Sequence, residues 1–495
     1  MEKTLAETLK QYNIDKDFED ENLFDYEKHR SLQARSQMDL SDLGNAERLI
    51  HVYGADFRYH IERKKWMNWT GKFWDVDSSN LLNMKAVEIV RELKDEINYI
   101  DGKAEKEAFS KHIVRSQAAP RIQAMVQLAD SVSEGITVTQ SMFDKDDYLL
   151  NVANGTLDLK KLKLGGVNKM VLGGHDRANY ITHYIDIPFN PIAKCPTWDK
   201  FLDDIFMGNH EMIRYIQRVI GYALTGSNKE EAMFIFYGPK GRNGKSTLVK
   251  VIQRLLNNYA ATTDPSTFMK SGKTARHTLA ELVGVRFLST SEVERGEELA
   301  VQLIKQITGR DPVEAERKYE NPFTYLPTYK IFMLTNNKPG IYERRKAIWE
   351  RIHLIPFNRY FEDHERDKDL DAKLEAELEG ILRWALEGCM EWQSQGLTPP
   401  QEVRDAVKQY EKEQDIIGQF ILDSCYIEPA NEDCWEAPDR LYQDYKSWCA
   451  AGGYIPLNLN NFGLEIKERF PFKSKRVNFN GKTQPKKVYI GIRLN

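Results

Sequence analysis

The sequence contains no apolar run approaching the roughly 18 residues of a membrane span. Its first stretch, "MEKTLAETLKQYNIDKDFEDENLF", lacks the apolar core and small-residue cleavage site of a signal peptide. The expectation is a cytoplasmic protein, in a bacterial host or at a viral replication site, with no membrane partner. Cysteine is scarce: Cys195, Cys389, Cys425, Cys434 and Cys449 are scattered, without a C-x-x-C and without histidine at ligand spacing. That argues against a zinc site and against a disulfide framework. An excess of positive charge is also missing, since the net charge is -4. This excludes a uniformly basic nucleic-acid binder and leaves local patches open. Internal repeats and low-complexity tracts are absent too. One further absence is local: from Pro471 to Asn495 there is no acidic residue, while seven basic ones occur (Lys473, Lys475, Arg476, Lys482, Lys486, Lys487, Arg493).

What is present is ordinary globular composition, 41% hydrophobic and 29% charged, over 495 residues. At about 100–200 residues per domain, that length predicts three or four domains. Residues 1–40 are acidic and poor in apolar periodicity, an arm with some helix. Residues 41–190 mix helical spacing ("AVEIVRELKDEI") with strand-like pieces ("KKWMNWTGKFWDVD", "YLLNVANGTLDL") and turns at Thr70-Gly71 and Asn154-Gly155, an α+β accessory domain. Residues 191–230 form a helical lead-in, with Ile213, Ile216, Ile220 and Leu224 on one face. From 231 to 360, buried strands ("AMFIFY", "VRFLSTS", "YKIFMLT", "RIHLIPF") alternate with helical stretches, as in a parallel α/β sheet. Residues 361–424 are helical, with a stripe of Leu370, Leu374, Leu378, Ile381 and Trp384. Residues 425–495 are a final unit.

The chemistry centres on "FIFYGPKGRNGKSTLVK", Phe234 to Lys250. A triphosphate presents dense negative charge, so glycines let backbone N–H groups approach it while a helix N-terminus adds its dipole. Gly238, Gly241, Asn243, Gly244, Lys245, Ser246 and Thr247 supply such a loop. Lys245 reaches the β and γ phosphates and the Ser246 hydroxyl holds Mg²⁺. The usual motif is G-x-x-x-x-G-K-[ST]; here five residues separate Gly238 from Gly244, which leaves Pro239 at the usual first-glycine position. The loop is expected to bulge. Hydrolysis also requires a carboxylate near the metal and the attacking water. Glu292, just beyond "VRFLSTS", is the first choice and Glu294 the second. Asn336 and Asn337, at the end of "KIFMLT", can offer an amide to the γ-phosphate or the water.

These strands in this order resemble the superfamily 3 helicases, specifically the poxvirus-type primase-helicases and the C-terminal portion of phage and plasmid primases. The resemblance covers roughly residues 45–360, through "FDKDDYLLNVANGTLDL", "GYALTGSNKEEAMFIFYGPKGRNGKST", "LIKQITGRDPVEAERKYENPFTYLPTYKIFMLTNNKP" and "AIWERIHLIPF". It implies an AAA+-like P-loop core assembled as a hexameric ring that moves along single-stranded DNA with ATP and Mg²⁺. It also implies a channel hairpin at "VEAERKYENPF", with Arg317, Lys318 and Tyr319 meeting phosphate and base without reading sequence. Asn336, the asparagine of N-x-x-P, becomes the γ-phosphate sensor. A neighbouring subunit is expected to supply an arginine, with Arg351 the candidate and Arg344 and Arg345 in reserve. The tail, two amphipathic helices and two strands around Asn480-Gly481, is similar to a winged helix, with Arg476, Lys482, Lys486 and Lys487 along the wing.

The expectation is therefore an ATP-dependent hexameric DNA helicase of a phage, plasmid or other mobile element, acting on single-stranded and forked DNA. A separate primase or replication initiator is a possible partner, since no primase domain is visible. Two alternatives stay open. One is an origin-binding or scaffolding ATP clamp that does not unwind. The other is a primase using the D-x-D of Asp75 and Asp77, although that pair reads more readily as a turn.

Overall fold

The computed structural model describes residues 27–162, 172–270, 276–341, 346–479 and 482–495, with the backbone alone described for 477–479 and 482–484. Most of the expected N-terminal arm, Arg344, Arg345, the Asn480-Gly481 turn and the side chain of Lys482 lie outside the described residues.

A five-stranded parallel sheet occupies the centre. Its strands are β1 (Met233–Tyr237), β2 (Ala260–Thr263), β3 (Phe287–Thr290), β4 (Lys330–Thr335) and β5 (Ile352–Pro356), in spatial order β5-β1-β4-β3-β2. A strand covered on both faces must be apolar throughout, which is why β1 and β4 read as unbroken hydrophobic runs. Phe234 and Phe236 join a core with the helices Pro196–Ile205, His210–Ala223, Lys245–Leu256 and Leu378–Gln395, while Met233 and Ile235 face Ile304 and Ile307. The apolar-run signal misses β2, whose Ala-Ala-Thr-Thr lies at the sheet edge.

The helical stripe expected over residues 367–395 breaks at Glu377, between the helices Leu370–Ala376 and Leu378–Gln395. The Glu377 carboxylate instead accepts the Thr197 and Trp198 amides at 2.9–3.1 Å and so caps the Pro196–Ile205 helix. The Leu378–Gln395 helix lies directly against His210–Ala223. Glycine permits this approach: a Cβ on Gly221 would stand 2.0 Å from the Cys389 amide nitrogen, and one on Gly388 2.0 Å from the Gln217 carbonyl oxygen. Gly221→Ala is expected to cost about 1–3 kcal/mol by forcing the helices apart. Chemical denaturation would show this as a lowered midpoint, and an unchanged midpoint would refute it.

In the accessory region a four-stranded sheet, ordered Trp74–Val76, Lys65–Trp69, Phe57–His60 and Thr137–Val138, is joined by the helices Asp42–Tyr53, Leu81–Glu96 and Ala119–Leu128. Asp77 caps Leu81–Glu96, accepting the Leu81 and Leu82 amides at 2.8 and 3.0 Å, so half of the D-x-D has a structural role. The region is tied to the central sheet at two arginines. Arg310 donates to the Asp147 carboxylate (2.8 Å) and Arg286 to the Leu149 carbonyl (2.6 Å). At the other end, Pro438–Gly452 and Leu459–Arg469 pack with the hairpin Phe472–Phe479 and Lys482–Ile490 around Leu441, Tyr445, Phe462, Ile466 and Tyr489. Three short strands unread in the sequence complete that unit: Cys425–Ile427, Trp435–Glu436 and Ile492–Leu494.

Candidate nucleotide and DNA site

Parallel strands put their C-terminal ends on one edge, and the order reverses around β1, where loops diverge and leave a crevice. The loop from Gly238 to Gly244 leaves β1 at that point and opens the helix Lys245–Leu256. Gly244 has φ +84°, and a Cβ there would lie 2.4 Å from Ile205 Cγ2. Arg242 also has positive φ (+57°), so the extra residue is absorbed as a left-handed bend. Asn243 braces it: its amide donates to the Lys240 carbonyl (2.7 Å) and its Oδ1 accepts the Lys245 amide (3.4 Å).

Lys245 is buried and its ammonium donates to three acceptors: the carbonyls of Gly238 (3.1 Å) and Thr335 (3.0 Å) and Asn336 Oδ1 (2.6 Å). Asn336 in turn donates from Nδ2 to Glu292 Oε1 (2.7 Å). The first residue of the helix after β1 and residues just beyond the ends of β4 and β3 thus form one hydrogen-bonded chain. Burial lowers the Lys245 pKa to about 8, against the opposing pull of Glu292. The two acids are placed differently. Val293 is in the core, and it is Glu292, not Glu294, that reaches Asn336. Asn337 is turned aside, its backbone engaged with the Thr335 hydroxyl. Ser246 is exposed at the helix start and Gly241 has nothing near its Cβ position.

Arg351 lies at the opposite edge of the sheet, immediately before β5. It pairs with Glu231 and donates to the Ala347 carbonyl at 2.7 Å. Within one chain it is an ion-pair residue at the sheet edge away from the Gly238–Gly244 loop.

The segment expected to project a hairpin does so: Val313–Ala315 pairs antiparallel with Phe323–Tyr325. At its tip Lys318 is exposed, and Tyr319 is fully exposed with φ +67°. Left-handed backbone is strained for a bulky residue and tends to persist where function demands it. Arg317 differs from its neighbours. It turns inward, donates to the Ala280 carbonyl (3.0 Å) and stacks over Phe323 (4.9 Å). In the tail, Arg476 and Lys487 are exposed and Lys486 half-buried, whereas Lys475 is held by Asp433 (2.8 Å) and Lys473 by Glu432 (3.1 Å).

Residues 46–207 match the family described as D5 N terminal like, and residues 417–493 match Poxvirus D5 protein-like. These two matches support the resemblance to the D5-type superfamily 3 helicase family. Between those two segments, residues 236–347, which hold the Gly238–Gly244 loop and the hairpin, match a family of unknown function. Relatives of this chain include a protein of Acanthamoeba polyphaga mimivirus, 25% identical over 357 residues, covering 68% of this chain and 36% of the relative. Another, from Frog virus 3, is 25% identical over 260 residues, covering 48% of this chain and 26% of the relative. Both are named "Putative helicase". The chain therefore spans only 26–36% of these relatives' lengths. A solved structure, the apo C-terminal region of NrS-1, aligns with 88% of this chain and 96% of its own at 11% identity, with a TM-score of 0.48. Among the described residues no helix is long and apolar enough to cross a membrane.

Beside the Gly238–Gly244 loop lies a cavity of about 830 Å³, lined by Lys200, Phe201, Arg242, Thr247, Arg366 and Lys373. Sequence reading named Thr247 and missed the other five, because the lining comes from three separate segments and shares no motif. The one available signal was the dense, balanced charge of the "RDKDLDAK" segment, which looks like any solvated surface.

Proposed function

We propose that this chain is the motor portion of an ATP-driven DNA helicase, an AAA+-like ring, hexameric, that serves replication of a phage, plasmid, virus or other mobile element. The observation that carries the reading is the chain Lys245–Asn336–Glu292, which joins a phosphate-loop cation, an amide and a carboxylate across three neighbouring strand ends. Such a chain responds to a triphosphate. A γ-phosphate competes with Asn336 for the Lys245 ammonium, draws the Asn336 amide to itself, and frees Glu292 to orient water. Backbone N–H groups of Gly241, Asn243, Gly244, Ser246 and Thr247 cradle the phosphates, and the cavity beside Thr247 and Phe201 takes the base and ribose. The open space at Gly241 and the oxygens of Ser246 and Glu292 suit Mg²⁺, which when bound would neutralise phosphate charge there.

Arg351 would complete the site of a neighbouring subunit, exchanging Glu231 for phosphate. Its distance from its own loop supports action in trans. Lys318 and Tyr319 would grip the single strand, and Arg476, Lys482, Lys486 and Lys487 would meet duplex phosphate along the wing of a winged helix. A separate primase or initiator would be a partner. The test is ATP hydrolysis with and without single-stranded DNA: stimulation by DNA is expected. Nucleotide binding without hydrolysis would favour the alternative, an origin-binding or scaffolding clamp, a reading that the missing second acid beside Glu292 keeps in play.

The lowered pKa of Lys245 gives a pH signature. Below about pH 8 the free ammonium is already charged, so ATP affinity is flat; above it, binding must recruit a proton, and affinity falls about tenfold per pH unit. A fluorescent-nucleotide titration series through that range checks this. A flat profile would contradict it.

A further inference from the structure

The hairpin does not stand free. Its base closes a second cavity, of about 180 Å³, against the accessory sheet, with Arg63, Arg317, His60, Gln140 and Thr182 in its wall. The deepest groups are cationic or hydrogen-bonding: the side chain of His60 is 2% exposed, Arg317 13% and Arg63 22%. Two guanidiniums in one pocket repel unless an anion lies between them. The carboxylate nearest to both, Glu320, stays 3.9 Å from each, outside hydrogen-bond distance, and gives its closer contact to Lys65 (3.3 Å). The acids of the lining, Asp75 and Glu281, are exposed at the rim. Two buried atoms here have no hydrogen-bond partner: His60 Nε2, whose ring turns its Nδ1 to Glu62 (3.3 Å) and the Arg63 amide (3.4 Å), and Arg63 Nε, whose only ion-pair contact is the long one to Glu320. Buried polar atoms left unmet are rare and point to a missing ligand.

We propose that this pocket binds one phosphate of the single strand that the hairpin engages, which makes the accessory region part of the DNA path. The guanidinium forks of Arg63 and Arg317 match a phosphate's oxygens, and the volume suits a phosphate with part of its sugar rather than a whole nucleotide. Lys318 and Tyr319 follow Arg317 directly in the chain, so a strand held at the tip passes the pocket mouth. The inference rests on the reading of the hairpin as a DNA contact.

The test is fluorescence anisotropy of the full chain with a labelled oligothymidylate over a salt series. Arg63→Gln is expected to weaken binding about fivefold and to reduce the logarithmic salt slope by about 0.7, the loss of one phosphate contact. Arg63→Lys, which keeps the charge, is expected to keep the slope and shows that the loss is not misfolding. Lys318→Ala run alongside separates the two readings. If Lys318→Ala weakens binding and Arg63→Gln does not, the pocket is overturned and the hairpin stands; if neither does, both fall. If inorganic phosphate raises the melting temperature of the wild type but not of Arg63→Gln, while both bind DNA equally, the pocket takes free phosphate and the strand assignment is overturned.

Discussion

Lys245→Ala is expected to reduce ATP hydrolysis by about a hundredfold to a thousandfold, the usual loss when one preorganised charge at a phosphoryl or oxyanion site is removed. The fold should survive. The three acceptors of the ammonium are two strand-end carbonyls and the Asn336 amide oxygen, all bordering the crevice where water can replace the lost donor. The ammonium is held in this site with its pKa lowered to about 8, so burial already strains its charged form and removing it does not strip the core of a needed ion pair. Circular dichroism melting alongside the ATPase assay separates the effects. Wild-type turnover in the variant would show that the loop is not where hydrolysis occurs.

Lys318→Ala is expected to abolish DNA unwinding, or slow it at least about tenfold, and to remove the stimulation of hydrolysis by DNA. The hairpin presents Lys318 and Tyr319 to solvent at a tip whose backbone is held left-handed, while Arg317 is committed to its base. Loss of Lys318 removes the exposed charge without touching that base, so nucleotide affinity serves as the control. Strand displacement on a forked substrate is the measurement. Unchanged displacement would mean that the tip does not carry the coupling.

The two sites differ in how far the sequence disclosed them. Strand, loop and helix around Lys245 follow from local chemistry: an apolar run buried on both faces, glycines where a Cβ would clash, and a helix stripe of Leu248, Ile252, Leu255 and Leu256. Which of Glu292 and Glu294 meets Asn336 was half legible. A strand end with two candidate acids needs the third dimension to show that Val293 points into the core and Glu292 toward Asn336. Arg317 was read with its neighbours as an outward-facing charge, since three consecutive polar residues carry no sign of which one turns inward over Phe323. Arg63 and His60 were invisible for another reason. They acquire meaning only when a strand of the accessory sheet meets a hairpin more than 200 residues later, as Lys65 meets Glu320 across 255 positions. The break at Glu377 belongs to the same class, because the helix it caps begins at Pro196.

The central claim is that nucleotide hydrolysis at the Lys245–Asn336–Glu292 chain drives strand separation. The most direct test incubates the full chain with a forked duplex, supplying ATP in one reaction and a non-hydrolysable analogue in the other, with Mg²⁺ in both. The account predicts displacement with ATP and none with the analogue. ATP hydrolysis that proceeds while the fork stays intact would contradict it.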